Sequence, residues 1–411
     1  MSKKQSPSSK KSEHYVPLAS VKVVGVGGGG GNAVSRMSNN FIRGVEFVAI
    51  NTDHQDLDQV DVKRKIYIGK NLTRGLGAGM NPELGRQAAE ENRSEIAEAL
   101  RGADIVFVTA GFGGGTGTGA SPIVAEVAKQ QGALTIAVVT KPFAFEGAQR
   151  QRLAAEGLAK LKDKVDALIV VPNDRIFTII SKDTPILKAF AAIDEILRNA
   201  LQGIVEVIVN PGIINVDFAD MRAIVADAGS AIVGLGIASG PERAVNAVNQ
   251  AMNSPLLEVN AEGAKGVILA ISGNRDLRMT EINEAAKLVS QTADPSARII
   301  FGAYYDRAIK PNQIKITLIA TGFNGSNGNG GNSLFTNHFG DKQAQPYFQG
   351  GKSDLPKREV GMAGEPLDAR DVSAGPVHGA KNMKAPLESE PKKKEEVDAW
   401  DIPTFLRKKG R

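Results

Sequence analysis

Two glycine-rich runs constrain this chain more than any other feature of its sequence. The first, GVGGGGGN, covers residues 25–32, and the second, GFGGGTGTGASP, covers residues 111–122. Each run follows a short apolar segment typical of a strand and precedes a segment with helical periodicity. Glycine lets a backbone approach a phosphate closely, and a helix N-terminus supplies unpaired N–H groups and a positive dipole. The runs therefore predict phosphate-binding loops at the ends of two strands.

The first run is open to two other interpretations. Gly25, Gly27 and Gly30 match the pattern G-x-G-x-x-G, and Asp53 closes the next strand where a ribose-binding acid would lie. An oxidoreductase that uses NAD is therefore one alternative, although the scarcity of histidine argues against it. A turn with a purely structural role is the other alternative, because an isolated glycine pattern is a weak signal.

The second run is more informative, because a simple dinucleotide-binding fold has no need of it. Thr116 and Thr118 add hydroxyl groups to a dense set of backbone donors that suits consecutive phosphates. Pro122 is well placed to be the first residue of the following helix, and a glycine hinge is the structural alternative. The P-loop class is excluded, because Pro346 stands where the first glycine before Gly351-Lys352-Ser353 would be.

The periodicity of the chain predicts an α/β fold. Apolar runs alternate with helix-like segments from Val21 to about Thr140, which is typical of a Rossmann-like parallel sheet. Between Pro185 and Val209 apolar residues recur every three or four positions, so we expect one long central helix that joins two domains. A smaller α/β unit follows, with helices near 217–228, 241–252 and 280–292 and strands at 267–272, 298–305 and 314–321.

We expect ordered structure to stop near Phe323, with a disordered tail at each end. From Asn324 the sequence becomes NGSNGNGGN and then a Gly, Pro, Lys and Glu mixture without periodicity. The last stretch, DAWDIPTFLRKKGR, combines apolar and basic residues, which predicts a docking peptide; a sticky tail without a partner is the alternative. The predicted segments are a tail (1–20), a nucleotide-binding domain (21–184), the central helix (185–210), a C-terminal domain (211–323), a linker (324–395) and the docking peptide (396–411).

Composition excludes several kinds of protein. The chain has no cysteine and four histidines, so disulfides, thiolate zinc sites and a multi-histidine metal site are not expected. The net charge of +5 resides in the two tails, which leaves the body close to neutral. A nearly neutral body lacks the basic surface of a nucleic-acid-binding protein, so no nucleic-acid partner is expected. The basic, Ser-rich opening MSKKQSPSSKKSEHY is not followed by the apolar core of a signal peptide, and no apolar run approaches the length of a membrane span. A cytoplasmic protein without membrane insertion is therefore expected.

The motifs together resemble the tubulin/FtsZ family of GTPases, and most closely its FtsZ branch. The segment GGGTGTG at 113–119 is similar to the signature loop of that family, and the other segments follow in family order. They are GVGGGGGNAV (25–34), NTD (51–53), GLGAG (75–79), TKPFAFEG (140–147), PND (172–174), NVDFAD (215–220) and WDIPTFLRKKGR at the C-terminus. The resemblance spans residues 21–323 and the last dozen.

The resemblance implies a GTP site with named residues. Phosphate contacts would come from the two glycine runs, and the γ-phosphate would face the GLGAG loop. Ribose and phosphate contacts would come from Glu146 and Arg150, and guanine would stack on Phe190 beside Asn173 and Asp194. The implied nucleotide-binding residues are Gly28, Gly29, Gly30, Gly31, Asn32, Gly79, Gly115, Thr116, Gly117, Glu146, Arg150, Asn173, Phe190 and Asp194. Mg²⁺ would be held mainly by phosphates and water, with no metal site made by the protein itself.

The resemblance also implies that Asn215, Asp217 and Asp220 are catalytic and act on the nucleotide of the next subunit. Taken alone, the pattern N-x-D-x-x-D indicates only a helix cap with acids favoured by the helix dipole. A site shared between subunits would link GTP hydrolysis to head-to-tail polymerisation. A nucleotide-binding structural protein without hydrolysis is a further alternative, which the retention of Asp217 and Asp220 argues against.

The family further implies a role in bacterial cell division. Filaments of the protein would form the cytokinetic ring at midcell, on the inner face of the membrane. Residues 396–411 would then bind membrane-tethering and regulatory division proteins.

Overall fold

The computed structural model describes residues 19–38, 44–181, 183–209, 212–254, 263–306 and 309–323. The predicted linker and docking peptide lie outside these residues, as does the N-terminal tail apart from Ala19 and Ser20.

Strands and helices alternate through the first half of the described chain. Its elements are β1 (Val21–Val26), α1 (Gly27–Ser38), β2 (Val45–Asn51), α2 (His54–Gln59), β3 (Arg64–Tyr67), α3 (Lys70–Thr73), α4 (Pro82–Glu91), α5 (Arg93–Leu100), β4 (Ile105–Gly111), α6 (Thr116–Gln130), β5 (Leu134–Lys141), α7 (Ala148–Lys162) and β6 (Ala167–Pro172). Short 3-10 helices, Ala144–Glu146 and Asn173–Thr178, follow β5 and β6.

The second half begins with one long helix. Its elements are α8 (Ile186–Val209), α9 (Phe218–Val225), β7 (Gly229–Ser239), α10 (Arg243–Met252), β8 (Gly266–Gly273), α11 (Met279–Thr292), β9 (Arg298–Tyr305) and β10 (Gln313–Thr321). The long central helix predicted from apolar periodicity is therefore confirmed, and so is the α/β fold class.

The strands form one sheet in the order β3-β2-β1-β4-β5-β6-β7-β10-β8-β9. The first six strands are parallel and have the strand order of a dinucleotide-binding sheet. The other four form a mixed sheet in which β10 runs antiparallel to both β7 and β8. The two parts meet at β6 and β7 through two residue pairs, Ala167 with Gly229 and Leu168 with Ser230.

Helices cover both faces of the parallel sheet. On one face α1, α8 and α9 contribute Met37, Leu201 and Ile224 to an apolar cluster that also contains Phe107 of β4. On the other face α4, α5, α6 and α7 enclose a second apolar cluster. The first cluster also includes Ile268 of β8, so α8 and α9 lie between the two parts of the molecule.

The structure differs from the expectation at both glycine runs. The helix expected after the first run begins within it, at Gly27, and the helix expected from Pro122 begins at Thr116. Each run therefore contains the first turn of a helix, although glycine is a poor helix former. Packing explains the difference, because a Cβ added at Gly30 would lie 2.4 Å from the Thr109 carbonyl oxygen. Pro122 lies inside α6, where it has no N–H to donate to the preceding turn.

Strand β7 was not predicted. Its sequence, GSAIVGLGIAS, contains three glycines, which are depleted in strands. In the structure, Gly234 and Gly236 face α10, and a Cβ at either would lie 1.9 Å from a carbonyl oxygen of that helix. The glycines therefore allow the close contact of α10 with β7, and Gln250 of α10 accepts a hydrogen bond from the Ile237 N–H.

Gly119→Ala tests the close packing of α4 on α6. A Cβ at Gly119 would lie 1.9 Å from the Pro82 carbonyl oxygen, so we expect a loss of unfolding free energy of about 3 kcal/mol or more. Gly111→Ala is the control, because its Cβ would meet nothing closer than 3.7 Å and its stability should stay within about 1 kcal/mol of wild type. Equal stability of the two variants in urea unfolding would contradict the packing.

Candidate functional site

The carboxyl ends of the parallel strands surround an open cavity of about 420 Å³. Crevices at this edge of an open α/β sheet are the usual place for a ligand, especially where the strand order reverses, as it does at β1 and β4. Twelve of the fourteen residues predicted to bind nucleotide line the cavity. They are Gly28, Gly29, Asn32, Gly79, Gly115, Thr116, Gly117, Glu146, Arg150, Asn173, Phe190 and Asp194.

Two helix N-termini meet at one end of the cavity. Gly27–Gly29 begin α1, and Gly115–Gly117 form the N-cap and first residues of α6. The α6 N-cap makes no side-chain capping bond, so the cavity receives backbone N–H groups and the positive ends of two helix dipoles. This end is suited to the phosphates of an anionic ligand.

Hydroxyl groups and the 75–79 loop hold this end in place. The hydroxyls of Thr52 and Thr116 are hydrogen-bonded at 2.6 Å, and Thr118 Oγ1 accepts from the Gly113 N–H at 2.9 Å. The Gly79 carbonyl accepts from the Gly115 N–H at 2.6 Å. The loop that the family resemblance assigns to the γ-phosphate is therefore bonded directly to the second glycine run.

Glu146 and Arg150 form an ion pair on the wall of the cavity. Arg150 Nη1 donates to Glu146 Oε2 at 3.0 Å, and Glu146 Oε1 accepts from the Phe143 N–H at 2.9 Å. The pair fixes the loop after β5, and its charged groups remain within reach of a polar ligand.

Asn173, Phe190 and Asp194 lie together at another part of the cavity wall. Asn173 Oδ1 is buried and has no hydrogen-bond partner among the described residues. Asp194 pairs with Arg36 of α1. Burial raises the pKa of Asp194 to about 6, although the charge of Arg36 lowers it in part. An aromatic ring beside a carboxylate and an amide can stack a base and recognise its polar edge.

Gly30 and Gly31 are near the cavity but do not line it. Gly30 packs on β4, as described above, and a Cβ at Gly31 would lie 3.1 Å from the Val60 side chain. The structure gives both glycines a packing role within α1, and their predicted contact with phosphate stays a prediction.

Arg36 and Thr109 are among the lining residues that were not predicted from the sequence. Arg36 follows Asn32 by one helical turn, so the i, i+4 spacing on α1 could have identified it. Thr109 lies inside the apolar strand IVFVTAG, where a single polar residue next to a glycine run was the one available signal.

The three predicted catalytic residues lie away from the cavity. Asn215, Asp217 and Asp220 are exposed and come after the C-terminus of α8. Asp217 is the N-cap of α9, where its Oδ1 accepts from the Ala219 N–H at 3.2 Å. Farther along α9, Arg222 donates to the Gly132 carbonyl, which precedes β5. The group therefore lies toward the amino ends of the parallel strands, and the cavity lies at their carboxyl ends.

Acidic side chains do line part of the cavity. Asp53 and Asp56 do so; Asp56 Oδ2 accepts from Asn51 Nδ2 at 2.9 Å, and Asp53 Oδ1 accepts from the Asp56 N–H at 3.1 Å. No cluster of three or more His, Asp or Glu side chains that could enclose a metal ion occurs within the described residues.

In the part of the chain that the structure describes, no helix is both long and apolar enough to cross a bilayer.

Two family models match the chain. Residues 20–181 match the Tubulin/FtsZ family, GTPase domain, and residues 229–324 match the FtsZ family, C-terminal domain. The first model covers both glycine runs and supports the GTPase interpretation of them rather than the nicotinamide one.

Solved structures agree with these matches. An empty FtsZ dimer from M. jannaschii is 47% identical, with a TM-score of 0.70 over 74% of this chain and 88% of that one. CetZ2 from Haloferax volcanii, in a GTPγS-bound protofilament, is 24% identical, with a TM-score of 0.61 over 73% of this chain and 92% of that one. At that identity CetZ2 supports the fold alone. Because the sequence identity to FtsZ and both family models agree, this chain belongs to the tubulin/FtsZ family of GTPases, in its FtsZ branch.

Proposed function

We propose that this protein binds GTP in the cavity and hydrolyses it at the junction between two copies stacked head to tail. The observation that carries the proposal is the separation of the predicted site into two groups. Twelve of the residues predicted to bind nucleotide line the cavity, whereas Asn215, Asp217 and Asp220 are exposed elsewhere.

Helix α8 sets the distance between the two groups. Asp194 lies in its third turn, and fifteen further residues lead to Val209 at its end. At 1.5 Å per residue these fifteen residues span about 22 Å, and the Asn215–Asp220 segment begins beyond them. Its carboxylates are therefore too far from the cavity of their own subunit to act on a phosphate there.

Exposed apolar residues near both groups favour stacking. Leu76 lines the cavity and is 74% exposed, and Phe145, adjacent to the lining residue Glu146, is 65% exposed. Ile213, two residues before Asn215, is 70% exposed. Contact between these unlike ends of two copies is heterologous, so it repeats without closing and generates a filament. The similar FtsZ from M. jannaschii forms a dimer in its structure, which is consistent with self-association.

The chemistry proposed for the junction needs few protein groups. Phosphoryl transfer requires an in-line water and neutralisation of the charge on the phosphate. The helix N-termini of α1 and α6 and Arg150 would bind and orient the phosphates. Asp217 and Asp220 of the adjacent copy would orient the attacking water, and its Asn215 would position the γ-phosphate.

Mg²⁺ fits this site as an ion held mainly by phosphates and water. The ion commonly keeps several water ligands and uses one or two carboxylates, and Asp53 and Asp56 are the acidic groups that line the cavity. When bound, it would neutralise the charge that develops on the phosphates.

The proposed role in the cell follows from family membership. Filaments would form the cytokinetic ring at the bacterial division site, on the inner face of the membrane. The C-terminal residues 396–411 would bind membrane-tethering and regulatory proteins across the 324–395 linker. In the described body, residues 21–184 would form the GTP-binding domain, 185–210 the central helix and 211–323 the domain that carries the catalytic segment.

Complementation between two inactive variants tests the shared site. Asp220→Ala should bind GTP with wild-type affinity but hydrolyse it slowly, because its own cavity is intact. Gly115→Val should lose nucleotide binding, since a Cβ there would lie 2.7 Å from the Ala78 carbonyl oxygen. In an equimolar mixture, roughly a quarter of the junctions join an intact cavity to an intact Asp217–Asp220 pair, and activity should rise accordingly.

Arg150→Ala serves as a second cavity variant if Gly115→Val fails to fold. Specific activity of the mixture is compared with each variant measured alone at the same total protein concentration. A mixture no more active than the mean of its two components would refute hydrolysis between subunits.

Guanine should be strongly preferred over adenine. The Asp194 carboxylate can accept from guanine N1–H and the 2-amino group, whereas adenine offers an acceptor at N1 and no 2-amino group. Competition binding should therefore favour GTP over ATP by at least about 100-fold, and Asp194→Ala should remove most of that preference. Phe190→Ala is the matched control, because loss of stacking should weaken both nucleotides alike. Equal competition by ATP in the wild type would contradict the assignment.

The affinity for GDP should depend on the protonation of Asp194. Its pKa is about 6 in the ligand-free protein, and only the ionised carboxylate accepts both guanine hydrogen bonds. Wild-type affinity should therefore fall as the pH drops below about 6, by up to tenfold per pH unit. Asp194→Asn does not titrate, so the ratio of the two affinities isolates this group from the titration of the phosphates. A ratio that is constant between pH 5 and 8 would contradict the role of Asp194.

A further inference from the structure

Thr109 is a buried threonine whose hydroxyl has no partner within the described residues. Its side chain is 0% exposed, and Oγ1 makes no hydrogen bond. Other buried threonines are satisfied: Thr135 Oγ1 donates to the Ala133 carbonyl at 3.1 Å, and Thr321 Oγ1 to the Ile224 carbonyl at 3.3 Å. An unpaired buried hydroxyl destabilises a protein, so its presence needs an explanation.

Thr109 lies in the wall of the cavity. Thr109 is a lining residue, as is Asn173, whose Oδ1 is likewise buried without a partner. Three buried side-chain atoms lack a hydrogen bond in the described part of the chain, and two of them belong to these residues. Unpaired polar atoms are therefore concentrated at the cavity, as expected where a polar ligand supplies the missing partners.

Neighbouring residues place Thr109 between the sheet and α1. In β1, Gly25 is the strand partner of Thr109, and the space over Gly25 is filled by the Gly30 carbonyl and the Val34 side chain of α1. Alternation along β4 places Thr109 on the same face as Phe107, which packs in the cluster that contains α1 and α8. Leu197 of α8, an apolar residue, also lines the cavity on that side. Thr109 therefore lies at the cavity in an apolar setting, where a missing hydrogen bond is costly.

We propose that Thr109 is a nucleotide-binding residue, whose hydroxyl gains its hydrogen bond from bound guanine nucleotide, directly or through one ordered water. The inference rests on the proposal that the cavity is the nucleotide site. A hydrogen bond formed only in the complex stabilises the complex and leaves the ligand-free protein with an unpaired hydroxyl. Thr109 therefore increases nucleotide affinity at the expense of stability.

Opposite effects on stability and affinity distinguish this role from simple packing. Thr109→Val replaces the hydroxyl with a methyl group of similar size, so the ligand-free protein should melt at the same temperature as wild type or higher. Loss of one hydrogen bond should weaken GDP binding about fivefold. A packing role alone would leave GDP affinity unchanged.

Thr321→Val is the matched control. Its hydroxyl is also buried and bonds to the Ile224 and Gly266 carbonyls in the C-terminal part of the molecule. This variant should lose stability and keep wild-type GDP affinity, which is the reverse of the pattern expected for Thr109→Val. Thr109→Ser retains the hydroxyl, so it should restore affinity to near wild type even where it lowers the melting temperature.

GDP affinity and ligand-free melting temperature are measured for the full-length wild type and the variants, together with Asp194→Ala. Weaker GDP binding by Thr109→Val without loss of stability, and recovery in Thr109→Ser, is the expected result. The inference is overturned if Thr109→Val binds GDP with wild-type affinity, or if Thr109→Ser weakens GDP binding as much as Thr109→Val does. If Asp194→Ala also binds GDP with wild-type affinity, the cavity itself is misassigned; if it binds weakly, the failure concerns Thr109 alone.

Discussion

Backbone-to-backbone contact between the glycine runs and the sheet is the constraint on which the rest of this structure depends. A Cβ at Gly25 would lie 2.3 Å from the Gly30 carbonyl oxygen, and one at Gly117 would lie 2.5 Å from that of Gly111. Both distances are too short for any side chain, so α1 and α6 can begin directly at the ends of β1 and β4 only where the residues are glycines. Their N-termini consequently converge on one cavity, and the anion-binding character of the site follows from that convergence.

Helix α8 links this cavity to the remainder of the molecule. Phe190 and Asp194 near its start line the cavity, and its middle and end pack in the cluster shared with β8 and α9. One rigid element thus fixes the end of the cavity that we propose binds the base and the position at which the Asn215–Asp220 segment begins. The distance between these groups is set by the length of a helix, so it changes little as long as α8 remains intact.

Much of this architecture could be predicted from the sequence, because apolar periodicity identifies elements whose burial is regular. The long helix and the strands β8, β9 and β10 were found in this way, close to their observed bounds. Periodicity failed where tertiary packing overrides local propensity. It missed the glycine-containing first turns of α1 and α6, and it missed β7, in which Gly234 and Gly236 pack against α10. In the cavity, residues within motifs were identified, whereas Arg36 and Thr109 were missed because their importance depends on neighbours distant in sequence.

The ten-stranded sheet is held together by fewer strand pairings between β6 and β7 than between β7 and β10. A fully paired ladder is stiff, because bending it strains many backbone hydrogen bonds at once. At this join the described ladder has two rungs, Ala167 with Gly229 and Leu168 with Ser230, whereas β7 and β10 share nine. Shear between the two half-sheets is therefore opposed at this join by few backbone hydrogen bonds, together with the side chains packed around α8. Twisting one half-sheet against the other breaks fewer strand pairings here than it would between β7 and β10.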